Sequence, residues 1–163
     1  QPELELEKNV FDTISKIYYW CSAEGYIDKV KTTTNLDSGL LNGIPHPIDR
    51  LNWLKSTELN NVINDFKKSG FLGSLNRYRA QDLDWNELKE LDYLKIHQPS
   101  IFIGGEYDPV RFFIKNYDSY RDPGKYCEKY KGTYIIKSAG HWVQQEKPEM
   151  VNKIIKNFLI NLT

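Results

Sequence analysis

Residues 100–110, "SIFIGGEYDPV", decide how this chain folds. Ile101, Phe102 and Ile103 form a short continuous apolar run that stops at Gly104 and Gly105. A run of this kind, bounded by glycines, is the pattern of a buried parallel strand; an antiparallel strand with one wet face would alternate instead. Pro99 marks its start, and Asp108 falls just past its carboxyl end. Downstream, Val110, Phe113, Ile114 and Tyr117 recur at helical spacing. "TYIIK" (133–137) reads as a second strand. Pro148 opens a last helix, at a position where the missing N–H costs nothing. Val151, Ile154, Ile155, Phe158, Leu159 and Leu162 make its apolar stripe. The order strand–helix–strand–helix predicts two parallel strands joined by a right-handed crossover.

Upstream the patterns are helical. Val10, Ile14, Ile17 and Cys21 share one face of a helix expected from Leu4 to Cys21, with Gly25 ending it. Residues 31–50, rich in Thr, Asn, Gly and Pro, read as a loop. A second helix follows Ser56, with Leu59, Val62, Ile63 and Phe66 as its stripe, Lys67 and Lys68 in its last turn and Gly70 as its stop. A short third helix starts near Ser74. The character changes near residue 97, which predicts a helical region over 1–96 and a strand–helix region over 97–163. Two parallel strands need both faces and both edges covered, and rarely hold alone. The last helix carries more apolar surface than two strands can bury. Further strands, from another chain or another copy, are therefore expected.

The composition is that of a folded domain: 163 residues, 40% hydrophobic and 27% charged. A formal net charge of zero argues against nucleic acid or an acidic membrane surface as partner. No apolar run is long enough to span a bilayer, so no membrane role is expected. "QPELELEKNV" has neither the basic start nor the apolar centre of a signal peptide, and without an initiator Met the chain is expected to be a processed or partial product. Two cysteines, Cys21 and Cys127, are too few for a disulfide framework and point to a reducing, cytoplasmic setting. The triplet "NLT" at Asn161 reads as chance. The abundant aromatics suit either a well-filled core or an aromatic-lined pocket.

"SAGHW" (138–142) places His141 just past the end of the second strand, as "EYDPV" places Asp108 past the first. Loops at that edge of an open α/β sheet hold ligand sites. Neighbouring strands lie about 5 Å apart, so the two side chains can meet. A carboxylate bonded to one imidazole nitrogen fixes the tautomer and leaves the other nitrogen to act as a base. A plainer reading stands beside this one. Asp before Pro is a good helix cap, and a single His after Gly is commonly structural. Tyr78, in "SLNRYRAQDLDW" (74–85), can donate from its phenol to a substrate oxygen or serve with Leu75 in a core face. His46 and His97 lack metal-like spacing with the cysteines, so no zinc site is expected. No phosphate loop or dinucleotide fingerprint is present, and no cofactor is expected.

These segments together resemble an α/β-hydrolase of the epoxide hydrolase kind. "FKKSGFLGSLNRYRA" (66–80) is similar to that family's cap segment, "IFIGGEYDPV" (101–110) to the strand and turn that carry the triad acid, and "AGHWVQQEKPEMVNKIIKNFL" (139–159) to the histidine turn and final helix. "ELELEKNVFDTISKIYYW" (3–20) resembles the first cap helix. The likeness covers nearly the whole chain and implies a helical cap over 1–96, followed by the C-terminal part of the core. It implies that His141 is the general base, Asp108 its orienting acid, and Tyr78 one of two cap tyrosines that bond the epoxide oxygen. It also implies that Trp142 and Arg77 contact substrate. Arg77 stands where the family usually has Trp, which alters the pocket wall. The family's nucleophile, its oxyanion loop and its other tyrosine belong to an N-terminal half that these residues do not match. The expectation is an enzyme that turns epoxides into diols through a covalent ester when complete, and a 163-residue chain that is inactive alone. Two alternatives remain: a haloalkane or haloacid dehalogenase or esterase of the same fold, and a non-catalytic chain that self-associates.

Overall fold

The computed structural model describes residues 2–29, 39–47, 51–91 and 93–162. They form two compact units, one from the described residues of Gln1–Tyr19 and Lys31–Leu94, the other from those of Trp20–Val30 and Lys95–Thr163. The division thus runs through the end of a helix near residue 20, and returns to the first unit until residue 94.

The first unit is helical. The single helix expected from Leu4 to Cys21 is in fact two: α1 (Pro2–Lys8) and α2 (Val10–Cys21). Asn9 makes the break, because its Oδ1 accepts the N–H of Asp12 and caps the second helix. Nor does Gly25 end the run. It lies inside α3 (Ala23–Lys29), where Ser22 Oγ accepts its N–H and starts a new helix that packs with the second unit. A serine cap three residues ahead outweighs the poor helix propensity of one glycine. α4 (Ser56–Ser69) follows the expected stripe and ends at Gly70, whose φ of 67° is left-handed. α5 (Leu72–Arg79) and α6 (Gln81–Glu87) follow; α6 has no counterpart in the sequence reading. Leu6, Ile14, Ile63 and Phe71 form the buried centre, with Val10, Leu59, Val62, Phe66 and Leu75 packed around it. Glu5 closes this core by accepting the N–H groups of Leu40 and Leu41, and Glu7 accepts that of Phe71. Of the loop expected over 31–50, residues 39–47 hold neither helix nor strand, and the rest lies outside the described residues.

The second unit carries the sheet. β1 (Ile96–Gly105) pairs in parallel with β2 (Cys127–Ile136), Gly105 standing opposite Ile136. Among the described residues these two strands are the whole sheet, so each is an edge. β1 is buried only at Gly104 and Gly105; its first four residues are exposed. α7 (Val143–Glu146) and α8 (Pro148–Ile160) complete the unit. Ile136, Ala139, Val143 and Val151 are its buried centre, and Ile155, Leu159 and Leu162 of the final stripe stay exposed. No described helix is long and apolar enough to cross a membrane.

The helix expected over Val110–Tyr117 is absent. A 3-10 turn, Pro109–Phe112, stands alone there, and Phe113 and Ile114 are 67% and 60% exposed. The carboxylate of Asp118 holds the Arg111 guanidinium through two oxygens and also accepts the N–H of Tyr120. Asn116 takes a left-handed φ of 62°. The chain folds back on this ion pair before a second helical turn can form, and the apolar periodicity at 110–117 has no core to face.

Candidate active site

The carboxyl ends of β1 and β2 build the site. Glu106 and Tyr107 leave β1 with their N–H groups bonded to the carbonyls of Ile136 and Ala139, which ties the two strand ends together. Gly105 is required here: a Cβ on it would lie 2.0 Å from the Gly140 carbonyl oxygen and 2.5 Å from that of Ala139. Ser138 turns the chain out of β2 with a φ of 53°, and its N–H is held by Glu106 Oε2 at 3.0 Å. That conformation costs a residue with a side chain about 1 kcal/mol.

Asp108 and His141 meet at this edge. His141 Nδ1 lies 3.0 Å from Asp108 Oδ2 and 3.2 Å from Oδ1. The aspartate side chain is 5% exposed and the imidazole 42%, so the acid is sheltered and the histidine reaches solvent. Asp108 also caps the Pro109 turn, its Oδ1 accepting the Val110 N–H at 2.9 Å. The capping and pairing contacts of Asp108 are therefore both present, the cap on Oδ1 and the shorter histidine contact on Oδ2. Burial pushes the Asp108 carboxyl up. The hydrogen bonds from His141, the Tyr120 phenol and the Val110 amide outweigh it, and the group titrates below its ordinary value.

The histidine turn is anchored from behind. The His141 N–H donates to the Cys21 carbonyl at 2.8 Å. Glu146 accepts the N–H of Gly140 through Oε1 and that of Ala23 through Oε2, each at 2.9 Å. One carboxylate thereby clamps the histidine turn to α3. Burial raises the Glu146 carboxyl, against the lowering effect of these amides. The Trp142 ring stands edge-on to the imidazole, centroids 5.1 Å apart.

Two expected outcomes follow from these carboxylates. Glu146→Gln puts an amide NH2 against a backbone N–H, and should lower the stability of the second unit by about 1–3 kcal/mol in urea unfolding. In pH, the two groups act oppositely. Asp108 has a folded value below its ordinary 3.8, so its contribution is full above that pH and is lost as pH falls through the lower folded value. Glu146 has a folded value above its ordinary 4.5, so its contribution is full below that pH and is lost as pH rises through the raised value. Asp108→Asn should accordingly flatten the fall in melting temperature below about pH 4, while Glu146→Gln flattens the change above about pH 4.5.

Of the residues singled out from sequence, Asp108, His141 and Trp142 lie together in the second unit. Arg77 and Tyr78 lie in the first, on α5. The Arg77 guanidinium pairs with Asp84 of α6, and Tyr78 is 69% exposed. Tyr120, Glu106 and Glu146 escaped the sequence reading. Tyr120 sits in irregular chain, where no periodicity links it to Asp108. Glu146 lies five residues past His141, about one helical turn beyond the histidine turn, and a buried carboxylate at such a spacing is the signal that could have found it.

No protein-family profile matches the chain. It is 35% identical over 127 residues to epoxide hydrolase A of Mycobacterium tuberculosis, covering 76% of this chain and 37% of that protein. The crystal structure of epoxide hydrolase A from Mycobacterium thermoresistibile superposes with a TM-score of 0.81 at 28% identity, over 97% of this chain and 48% of that one. An epoxide hydrolase from an endophytic Streptomyces gives 0.84 at 26% identity, over 99% and 49%. The chain spans between about a third and a half of the length of these proteins.

Proposed function

This chain is an epoxide hydrolase-like part of the α/β-hydrolase fold, and from that premise we propose that it supplies the acid–base half of an enzyme opening epoxides to diols. The observation that carries the reading is the Nδ1-to-carboxylate contact of 3.0 Å at the joined ends of two parallel strands. Asp108 fixes the imidazole so that Nε2 presents its lone pair. A carboxylate nucleophile from the remainder of the fold attacks one epoxide carbon. The C–O bond breaks, and Tyr78 gives a proton to the departing alkoxide, leaving an ester. His141 then takes a proton from water. The hydroxide adds to the ester carbonyl, the diol leaves as the carboxylate is restored, and the proton taken up by His141 returns through solvent to the Tyr78 phenolate. Trp142 and Arg77 each contact substrate in this reading. In this reading residues 1–96 supply the cap and 97–163 the C-terminal core, with the described part of Trp20–Val30 belonging to the same compact unit as the core.

Neither described strand ends in a nucleophile turn: β1 runs into the Asp108 turn and β2 into the His141 turn. The 163-residue chain alone is therefore expected to give no epoxide turnover. Joined to a nucleophile-bearing N-terminal half and offered an epoxide, a haloacid and a simple ester, it should form diol from the epoxide. Turnover of the haloacid or the ester with none of the epoxide would transfer the site to the dehalogenase or esterase reading. Two cysteines are too few for a disulfide framework, which supports a place in the cytoplasm.

The two sheet edges left unpaired among the described residues and the exposed Phe113, Ile114, Ile155 and Leu159 support a second reading, in which the chain associates with itself. Light scattering on the chain alone should report dimers or larger species. A monodisperse monomer would remove that reading.

A further inference from the structure

Asp108 has a second side-chain partner besides the histidine. The Tyr120 phenol donates to Asp108 Oδ2, the same oxygen that lies 3.0 Å from His141 Nδ1. The phenol is seated for this contact. Its ring packs edge-on to Phe102 of β1 with centroids 4.7 Å apart, and over Gly104, where a Cβ would come within 2.5 Å of it. The Asp118 carboxylate accepts the Tyr120 N–H and holds Arg111, whose guanidinium lies 5.5 Å from the Tyr120 ring centroid. The irregular crossover, which replaces the expected helix, thus delivers one hydroxyl to the acid of the pair.

We infer that Tyr120 is a positioning residue for the reaction: by donating to Asp108 Oδ2 it fixes the carboxylate rotamer and limits the negative charge that His141 feels. The inference rests on the reading of Asp108 as the orienting acid. A carboxylate that shares its charge with a second donor holds the imidazolium less tightly, and so keeps the histidine a weaker base than Asp108 alone would make it. Among the described residues, the charged and titratable groups around the contact include His141 from the turn after β2, Arg111 and Asp118 from the crossover, Glu106 at the end of β1, whose charge acts on Arg111, and Glu146 of α7, which accepts the Gly140 N–H beside His141. Val110 adds its N–H on the other carboxylate oxygen. Arg111 and Asp118 neutralise one another as a two-oxygen ion pair, so the phenol is the group whose removal changes the charge on Asp108.

The test is an NMR titration of the His141 ring in the full chain, in the wild type, Tyr120→Phe and Asp108→Asn. Phenylalanine keeps the ring on Phe102 and removes only the donor. Tyr120→Phe should raise the His141 midpoint by about 0.5–1 pH unit and that of the Asp108 carboxyl by a similar amount. Asp108→Asn should lower the His141 midpoint by about 1 unit or more. A merely structural tyrosine would leave both midpoints where they are. If Asp108→Asn moves His141 and a folded Tyr120→Phe does not, the role given to Tyr120 is wrong while the acid–base pair stands. If Asp108→Asn also leaves His141 unmoved, the pair itself falls, and the proposal with it. Should Tyr120→Phe fail to fold, 3-fluorotyrosine placed at position 120 serves instead. Its more acidic hydroxyl donates more strongly and should lower the His141 midpoint; an unchanged midpoint would overturn the proposal.

Discussion

His141→Ala, in a protein that also carries the nucleophile half, is expected to stop epoxide turnover at the ester. In the proposed mechanism the base acts on water, in the second step, and has no part in the attack on the epoxide carbon. The first step should therefore proceed once per site. One equivalent of epoxide disappears, the protein gains the mass of the substrate, and diol formation falls by about 10,000-fold. Asp108→Asn should approach the same loss by another route. The amide turns an NH2 or a carbonyl toward Nδ1, and the imidazole loses both its fixed tautomer and the charge that stabilises its protonated form. The buried carboxylate cannot be replaced by water, because its side chain is 5% exposed and three donors converge on its oxygens. Intact-mass measurement after a short exposure to epoxide separates this outcome from a general loss of structure. A misfolded variant would gain no adduct, whereas a deacylation-deficient one gains a stoichiometric adduct.

Gly105→Ala should be the most damaging single methyl in the second unit. Its Cβ would sit at 2.0 Å from one backbone oxygen and 2.5 Å from another, and neither is the end of a side chain that can swing aside. The strand ends must part to admit it. That movement breaks the bonds from Glu106 to Ile136 and from Tyr107 to Ala139, which are the bonds that bring Asp108 and His141 together. A loss of about 3 kcal/mol or more is expected in urea unfolding, with the His141 titration shifted toward that of an unpaired imidazole. By contrast Gly73→Ala, where a Cβ meets nothing within 4 Å, should cost nothing measurable and serves as the control.

Much of this was legible in the sequence because the signals were local. The apolar run before Gly104 and Gly105, the Pro148 helix start and the stripe Leu59, Val62, Ile63 and Phe66 each specify an element through neighbours a few residues away. The meeting of Asp108 and His141 followed from the parallel pairing of two such elements. What escaped depends on single side chains competing with periodicity. Asn9 splits a helix whose apolar face is continuous, and Ser22 carries a helix through Gly25. Between the strands, Val110, Phe113, Ile114 and Tyr117 have helical spacing. Their helix is undone by Asp118, which offers Arg111 and the Tyr120 amide more than a second turn could. Tyr120 was invisible for the same reason: its place beside Asp108 is set by a fold-back that no period encodes. The strand edges left unpaired among the described residues were expected from the count of strands alone.

The claim beneath all of this is that His141 and Asp108 form the base of an ester-hydrolysing site that needs a nucleophile from beyond these two strands. The direct measurement is epoxide consumption and diol formation by the 163-residue chain, alone and after fusion to the N-terminal half of an epoxide hydrolase. No diol is expected from the chain alone, and diol from the fusion should disappear with His141→Ala. Diol formed by the chain alone, or turnover by the fusion that survives His141→Ala, would contradict this claim.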